Sequence, residues 1–535
     1  GTHPGDSGVV TSVLAVQSAI QPKQVDTIVE VSKESTASLL NSLEVFRPSN
    51  RNLVEASSTS PVTPVVQSIA PKLFVRCARK PGLARVYTEL LSHSGTVINV
   101  RQFPQLEKLQ FYQLIGEFPN SIVIGIIRPG GRVLFRPHDL YELDKNDRVM
   151  ILGKKRSNQE PPEKLVALAS KTEMPSELER KGNNKDNGTR KVPLKHDLIE
   201  ERELASKKRK MYIRKKSKTY KKEWILLAGW NHDCAEILLE LDKHVGPGSE
   251  VIVVSKTPIH ERNELIQRKS QRHEEKYGSL ESSEPGNPRR PRRSSSERVD
   301  PKLSNLHIEH IYGNPLSYTD LSEAVHKRHE LEFKEQDEDD RHGRGLRFSR
   351  NSIMVVPDQQ WMKGAHVDNN TTMATLLAER VCTKQKVPLD SVSAYMQDGD
   401  LGSQLAEQHK GIEFVIIAEL MGRFTAQCCE HLHMSWVWSD LLTTHGWEIR
   451  IKPVHSVIGK GGNGNGNGNT MLSKVNEDAQ GDSFREVSAS AFTQHEIVIG
   501  IARYSDQNAA PDIILNPDQS TAIFPSDHVV VISAE

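Results

Sequence analysis

Three short stretches of the 535-residue chain carry residue types and spacings that could do chemistry. The first is Gly229-Trp230-Asn231-His232-Asp233-Cys234, which follows the apolar run Trp224–Ala228. A dinucleotide site needs three glycines in the pattern G-x-G-x-x-G, because bare backbone must approach the pyrophosphate and the helix must pack tightly on the strand. Only Gly229 is present. Asn231 and Cys234 take the other two places, and Asp233 sets a negative charge where the pyrophosphate would lie. Ser255 and Lys256 stand where an acidic residue would hold the ribose, so NAD binding is not expected. The second stretch, Cys428-Cys429-Glu430-His431-Leu432-His433, sets Cys429 and His433 one helical turn apart. Structural zinc takes four ligands from separated pairs, so a helix with some buried side chains fits this stretch better. The third, Gln397-Asp398-Gly399-Asp400, offers hard oxygen ligands but only a fragment of a calcium loop. No G-x-S-x-G nucleophile turn occurs, and no set of residues assembles an active site; the chain reads as a non-enzyme.

The elements that would position these residues are repeated. Ile122–Arg128 (IVIGIIR) matches Ile497–Arg503 (IVIGIAR) at an offset of 375, and Pro137 and Asp147 match Pro517 and Asp527 at 380. Upstream, Lys72–Arg76 with Leu83–Leu91 corresponds to Phe414–Ala418 with Val437–Leu442. Ser12–Ala15 and Val25–Val31 resemble Thr375–Ala378 and Leu389–Tyr395. A steady offset over so many segments marks a duplicated domain. In the second copy, short apolar strands at Trp224–Ala228, Val251–Ser255, His307–Tyr312, Ile353–Val356, Val392–Tyr395 and Phe414–Ile417 alternate with helices. That alternation predicts a doubly wound parallel sheet, a Rossmann-like lobe, followed by a small α+β lobe. The first copy joins the pattern late, so its missing strands are expected upstream of Gly1.

The expected organisation is therefore a first domain over 1–154, a charged linker over 155–222, a second Rossmann-like lobe over 223–420 and its C-terminal lobe over 421–535. Disordered inserts are expected at about 270–300, 333–350 and 459–482. The linker ends in Lys207–Lys222, with ten basic residues in sixteen. That run suits an arm for phosphates or anionic lipid, a nuclear-import signal or a solvated connection. Arg289–Ser296 would suit a basophilic kinase, and Gly459–Asn469 lacks the flanking strand and helix of a phosphate loop. A net charge of +1 gives no argument for a specific nucleic-acid partner, and none is expected. Five cysteines without framework spacing fit a reducing compartment. The apolar runs reach five or six residues, against about 20 for a bilayer span.

Gly229-Trp230, Asp233, Leu241-Asp242, Pro247-Gly248-Ser249-Glu250, Pro258 and Glu261-Arg262 resemble the second regulatory domain of the CASTOR/POLLUX family of plant and algal ion channels. Lys72–Val75 and Cys77–Ala84 resemble that family's first domain. Thr425–Gln427, Val437-Trp438 and Asp440–Leu442 fit its second. The resemblance implies tandem RCK domains (regulators of K+ conductance), each a Rossmann lobe plus a small C-terminal lobe, with the first domain truncated at its N-terminus. It implies a homo-tetramer whose cytosolic gating ring couples calcium binding to a K+- or Ca2+-conducting membrane pore lying upstream of this chain, in the nuclear or plastid envelope. A soluble TrkA-like nucleotide-binding subunit of a potassium transporter is the alternative. For calcium, the carboxylates expected near C-terminal strand ends are Asp398, Asp400 and Glu419.

Overall fold

The computed structural model of the chain describes residues 69–172, 221–281, 303–339, 348–458 and 482–534, with short interruptions. It also describes a few shorter pieces before residue 67. The basic run before Lys221, Arg289–Ser296 and Gly459–Asn469 lie outside the described residues. The chain forms two compact units, residues 1–172 with 391–535, and residues 173–390.

In the first copy, β1 (Thr27–Val31) pairs in parallel with β2 (Val62–Val66). Helix α1 (Ile69–Arg79) follows, with Leu73, Phe74, Cys77 and Ala78 buried; its Pro71 falls in the first turn, where a missing N–H costs nothing. Pro81-Gly82 breaks the helix, and α2 (Leu83–Leu90) returns. Then come β3 (Thr96–Gln102), β4 (Ser121–Ile127), β5 (Val133–Phe135) and β6 (Arg148–Lys154), an antiparallel sheet in the order β3-β6-β4-β5. Helix α3 (Glu163–Thr172) lies inside the stretch expected to be a linker. Leu165 and Ala169, one turn apart, are buried against Phe103, Leu106 and Phe111, so the compact fold reaches Thr172.

Residues 173–390 hold β7 (Glu223–Ala228), α4 (Cys234–Asp242), β8 (Ser249–Ser255), α5 (Ile259–Glu281), β9 (Leu306–Tyr312), α6 (Tyr318–Asp339), β10 (Arg350–Val355) and α7 (Val367–Lys384). The strands here are parallel and run β10-β7-β8-β9. Every residue of β7 is buried, as a parallel strand covered on both faces requires. Asp242 ties α4 to the start of β9: its carboxylate accepts from the backbone N–H groups of Ser304 (3.1 Å), Asn305 (2.8 Å) and Leu306 (2.9 Å). Helices α5 and α6 run to Glu281 and Asp339, into the ranges expected as inserts.

The rest of the second copy belongs with the first copy in one unit. It comprises β11 (Ser391–Met396), α8 (Gly399–Gln408), β12 (Ile412–Ile416), α9 (Ile417–Glu430), α10 (Met434–Leu441), β13 (Trp447–Pro453), β14 (Asp482–Ser483), α11 (Phe484–Thr493), β15 (Glu496–Arg503), β16 (Asp512–Leu515), β17 (Ala522–Ile523) and β18 (His528–Ala534). Helix α9 runs through residue 420, where a lobe boundary was expected. The sheet β13-β18-β15-β16 repeats β3-β6-β4-β5. Helices α2 and α10 stand 351 residues apart (83 to 434), as do β3 and β13 (96 to 447), and β4 and β15 stand 375 apart. By position, β12 corresponds to β2 (62 to 412), and α1 to the end of α9 (79 to 430). The matching of Lys72–Arg76 with Phe414–Ala418 is therefore a misregistration, because Lys72–Arg76 is helical.

The repetition reaches single residues. A bulge interrupts pairing between Val123 and Gly125, and again between Val498 and Gly500. At both glycines a Cβ would overlap a carbonyl oxygen of the neighbouring strand, Leu134 in one copy and Ile514 in the other. Asp147 Oδ2 accepts from Asp144 N (3.0 Å) and the Tyr141 hydroxyl (2.8 Å). Asp527 Oδ2 accepts from Phe524 N (3.0 Å) and Arg503 Nε (3.3 Å). Each aspartate thus closes the same turn, with a different second partner.

Candidate functional site: a filled crevice and a copy-to-copy interface

In an open parallel sheet, ligands enter at the C-terminal strand ends where the strand order reverses. Here that place lies between β7 and β10, and it is closed by backbone. Gly229 (φ 95°) turns the chain so that its N–H donates to Val254 O (2.8 Å), and a Cβ on it would overlap Val356 O. The Gln359 N–H donates to Trp230 O (2.7 Å), joining the turns after the two strands. Asn231 is buried and spends its Oδ1 on Asp233 N (2.9 Å) and the Cys234 thiol (3.4 Å). Of the three residues of the degenerate loop, Gly229 and Asn231 are committed internally, and Asp233 sits at the N-cap of α4 beside His232 (3.3 Å).

Beside this crevice, over the ends of β8 and β9, lies Arg262, on α5 and fully buried. Its Nε donates to Thr257 O (2.7 Å), and its terminal nitrogens donate to Ser255 O (2.5 Å) and Ile311 O (3.2 and 3.3 Å). It therefore takes the carbonyls at the ends of β8 and β9. Ser255 donates its hydroxyl to Asp358 Oδ2 (2.5 Å), and Asp358 is buried. Trp230 is buried and meets His310 edge-on at 6.1 Å; burial, with help from Arg262, pushes the His310 imidazole down to about 4. The place of a ribose and pyrophosphate is thus occupied by the protein's own cation, anion and indole. Asp358 was not foreseen, and nothing in Pro357-Asp358-Gln359 marks it. Arg262 had a signal: it lies four residues before the buried Ile266, on the inward face of α5.

Of the carboxylates expected to bind calcium, Asp398 and Glu419 have partners within the protein. Asp398 caps α8, its Oδ1 accepting from Asp400 N (2.9 Å) and Leu401 N (3.4 Å). Glu419 forms an ion pair with Arg423 one turn on, and its carboxylate lies beside Gly399. Asp400 is exposed in the first turn of α8. The three share a corner, yet among the described residues no three of His, Cys, Asp and Glu gather as a metal-holding group. At the Cys428–His433 stretch, Cys428 is buried, its thiol pushed up to about 12, while Cys429 is exposed.

The larger feature is the interface of the two copies within one unit, arranged about a pseudo-two-fold axis. Tyr87 on α2 meets Trp438, its counterpart on α10, at 6.2 Å. Other contacts come in related pairs. Phe135 meets Trp447 at 6.4 Å, and the Thr96 hydroxyl donates to Leu515 O (3.4 Å). Arg136 (φ 41°) donates to Phe492 O (2.9 Å) and stacks on the Phe492 ring at 4.0 Å. Its counterpart Asn516 (φ 48°) donates to Asn120 O (2.6 Å). Gly131 leaves room for Trp436, and in the related place Arg85 donates to Pro511 O (3.4 Å). The symmetry fails at the pair formed by Arg76 and Glu448. Arg76 pairs with Glu448 (3.3 Å), itself paired with Arg450, whereas the related residues Gln427, Val97 and Asn99 line a cavity of about 50 Å³.

Comparison with known proteins agrees with this architecture. The human SLO3 gating ring superposes with a TM-score of 0.53 at 11% identity, covering 98% of this chain and 84% of that one. A helix-flanked parallel sheet with a small antiparallel lobe that occurs twice is the fold of tandem RCK domains, the first copy showing only two parallel strands among the described residues. Residues 67–168, from just before α1 into α3, match the family described as Castor and Pollux, part of voltage-gated ion channel. Ion channel CASTOR of Lotus japonicus is 22% identical over 487 residues, 86% of this chain and 44% of that protein. Probable ion channel CASTOR of Oryza sativa subsp. japonica is 23% identical over 366 residues, 67% of this chain and 31% of that protein. The chain is similar to CASTOR/POLLUX ion channels over most of its length, and it spans less than half the length of these relatives.

Proposed function

We propose that this chain is the regulatory, gating-ring part of a tetrameric cation channel. It would lie on the soluble side of a membrane of the nuclear or plastid envelope and couple calcium binding to the opening of a pore that conducts K+ or Ca2+. The observation that carries the reading is the pseudo-two-fold packing of the two copies. It joins the crossover helices α1–α2 and α9–α10 in one compact unit, so a shift in one copy strains the other. Gating needs such an interface with two states that differ in affinity for the ion, and no catalysis. Arg262 in the crevice supports a scaffold over the TrkA-like alternative, which needs that crevice open to a nucleotide. No described helix is long and apolar enough to cross a membrane.

Calorimetry of the chain with calcium tests the reading. Heat of binding together with a changed hydrodynamic radius is the expected result; titration without heat and without a change of radius would remove the sensor role. Asp398→Asn and Glu419→Gln are the first variants to compare, since calcium in that corner has to displace the α8 cap and the Arg423 pair.

A further inference from the structure

The two small lobes complete the same part of their cores in different ways. At the offset of 351 that relates β3 and β13, Phe103 and Leu106 correspond to Val454 and Val457, and each pair lies in the core of its lobe. In the second lobe α11 adds Phe484, Val487 and Ala491 to that core, and it runs from β14 into β15, so strands hold it at both ends. The first lobe has the matching start. Gln110 and Gln113 form a capping box as Ser483 and Glu486 do, and Phe111 N donates to Tyr141 O as Phe484 N does to Thr521 O, both at 2.8 Å. The turn ends at Leu114 after four residues, where α11 has ten. Helix α3 supplies what is missing, with Leu165 and Ala169 buried in the core and Val166 packed against it.

Unlike α11, α3 is tethered to its lobe from one side. Eight residues, 155–162, join it to β6, and the next described element is β7, which starts at Glu223. A helix of ten residues is shorter than the about 12–15 that an isolated helix needs, so the seat beneath it keeps α3 helical. An open groove of about 620 Å³ runs past Arg101, Phe103, Glu160, Pro161 and Val166, so water reaches the edge of that seat. At the rim the exposed Lys164 pairs with Glu117 (3.1 Å), a surface contact that adds little. We propose that α3 is an exchangeable strap: it leaves its seat as a unit while the sheet beneath stays folded, and the seat takes α3 from a second copy of the chain. Complementarity fixes the occupant. The apolar floor of Phe103, Leu106 and Phe111 and the acidic rim at Glu117 match Leu165, Ala169 and Lys164. A second copy's α3 makes the same contacts, so exchange between copies loses none of them. The strap is a property of the first lobe and stands whether or not the chain gates a pore.

A fluorescent peptide of residues 160–172, added to the full chain, stands in for α3 of a second copy. Leu165→Asp in the chain empties the seat, and that variant should bind the peptide at least about tenfold more tightly than the native chain, whose tethered α3 competes at high effective concentration. A peptide carrying the same substitution should bind neither chain. Equal binding of the native peptide to both chains, or binding to neither, would overturn the proposal. Hydrogen exchange of the full chain decides the release step even if the variant does not fold. In the native chain the amides of α3 should exchange at least about 100-fold faster than those of β6, which open only with the whole lobe. Gly125→Ala, which strains β4 against the Leu134 carbonyl, should then speed exchange in β6 and leave α3 unchanged. Equal rates in α3 and β6, or equal acceleration of both, would overturn the strap.

Discussion

Replacing Arg262 by Met keeps much of the side-chain volume and removes every donor of the guanidinium. Four main-chain carbonyls, those of Val253, Ser255, Thr257 and Ile311, lose a hydrogen bond of 2.5–3.4 Å. The nearby Asp358 carboxylate also loses a buried cation. An orphaned buried acceptor costs about 1–3 kcal/mol, and removing one partner of a buried charge set about 3–5 kcal/mol. Water can re-enter at strand ends, so the carbonyl costs fall at the low end of that range; the whole change should be about 3–5 kcal/mol. Urea unfolding followed by tryptophan fluorescence reads this directly, because Trp230 packs in the same crevice. At about 1–3 kcal/mol per molar urea, the midpoint of this unit should drop by at least about 1 M. Arg262→Lys, with three donors on one nitrogen in place of the guanidinium fork, should recover only part of the loss. A loss below about 1 kcal/mol for Arg262→Met would mean that the guanidinium does not hold the crevice shut.

Gly125→Ala and Gly500→Ala each force a Cβ onto a neighbouring carbonyl, so each should destabilise its lobe by about 1–3 kcal/mol, measured by denaturation. Arg136→Ala removes the bond to Phe492 O and the stacked ring, and should lower stability by about 1–3 kcal/mol; Asn516→Ala, its pseudo-symmetric partner, should cost less. For His310 the folded-state value of about 4 lies below the ordinary 6.5, so the unfolded chain binds more protons between them. Its contribution is whole above pH 6.5 and is lost as the pH falls toward 4, a loss of about 1–3 kcal/mol that His310→Gln should abolish in a pH series of melts.

The duplication was legible because Ile122–Arg128 and Ile497–Arg503 are central strands, buried almost throughout, where packing leaves little latitude in sequence. The parallel sheet could be read for the same reason, from runs such as Trp224–Ala228. Short apolar runs do not declare their period, and Lys72–Arg76 accordingly took a strand's place in the comparison while belonging to a helix. Helix α3 was hidden because Leu165, Val166 and Ala169, which pack on the core, lie in a short apolar run at the head of a long charged stretch. The glycine-poor loop, with Asn231 and Cys234 in place of two glycines, led to the expectation that the crevice does not take NAD. What lies there was not legible, since Arg262 and Asp358 come near each other only after the 95 residues between them have folded. The cap on α2, where the Glu413 carboxylate accepts from the Gly82 N–H, is harder still, a contact across 331 residues with no local pattern at either end.

Light scattering of the purified chain tests the central claim most directly. A gating-ring segment should assemble as four copies of 60.0 kDa, about 240 kDa, with the same mass on adding NAD and a changed radius on adding calcium. A stable 60.0 kDa monomer over the whole concentration range, its radius indifferent to calcium, would contradict the account.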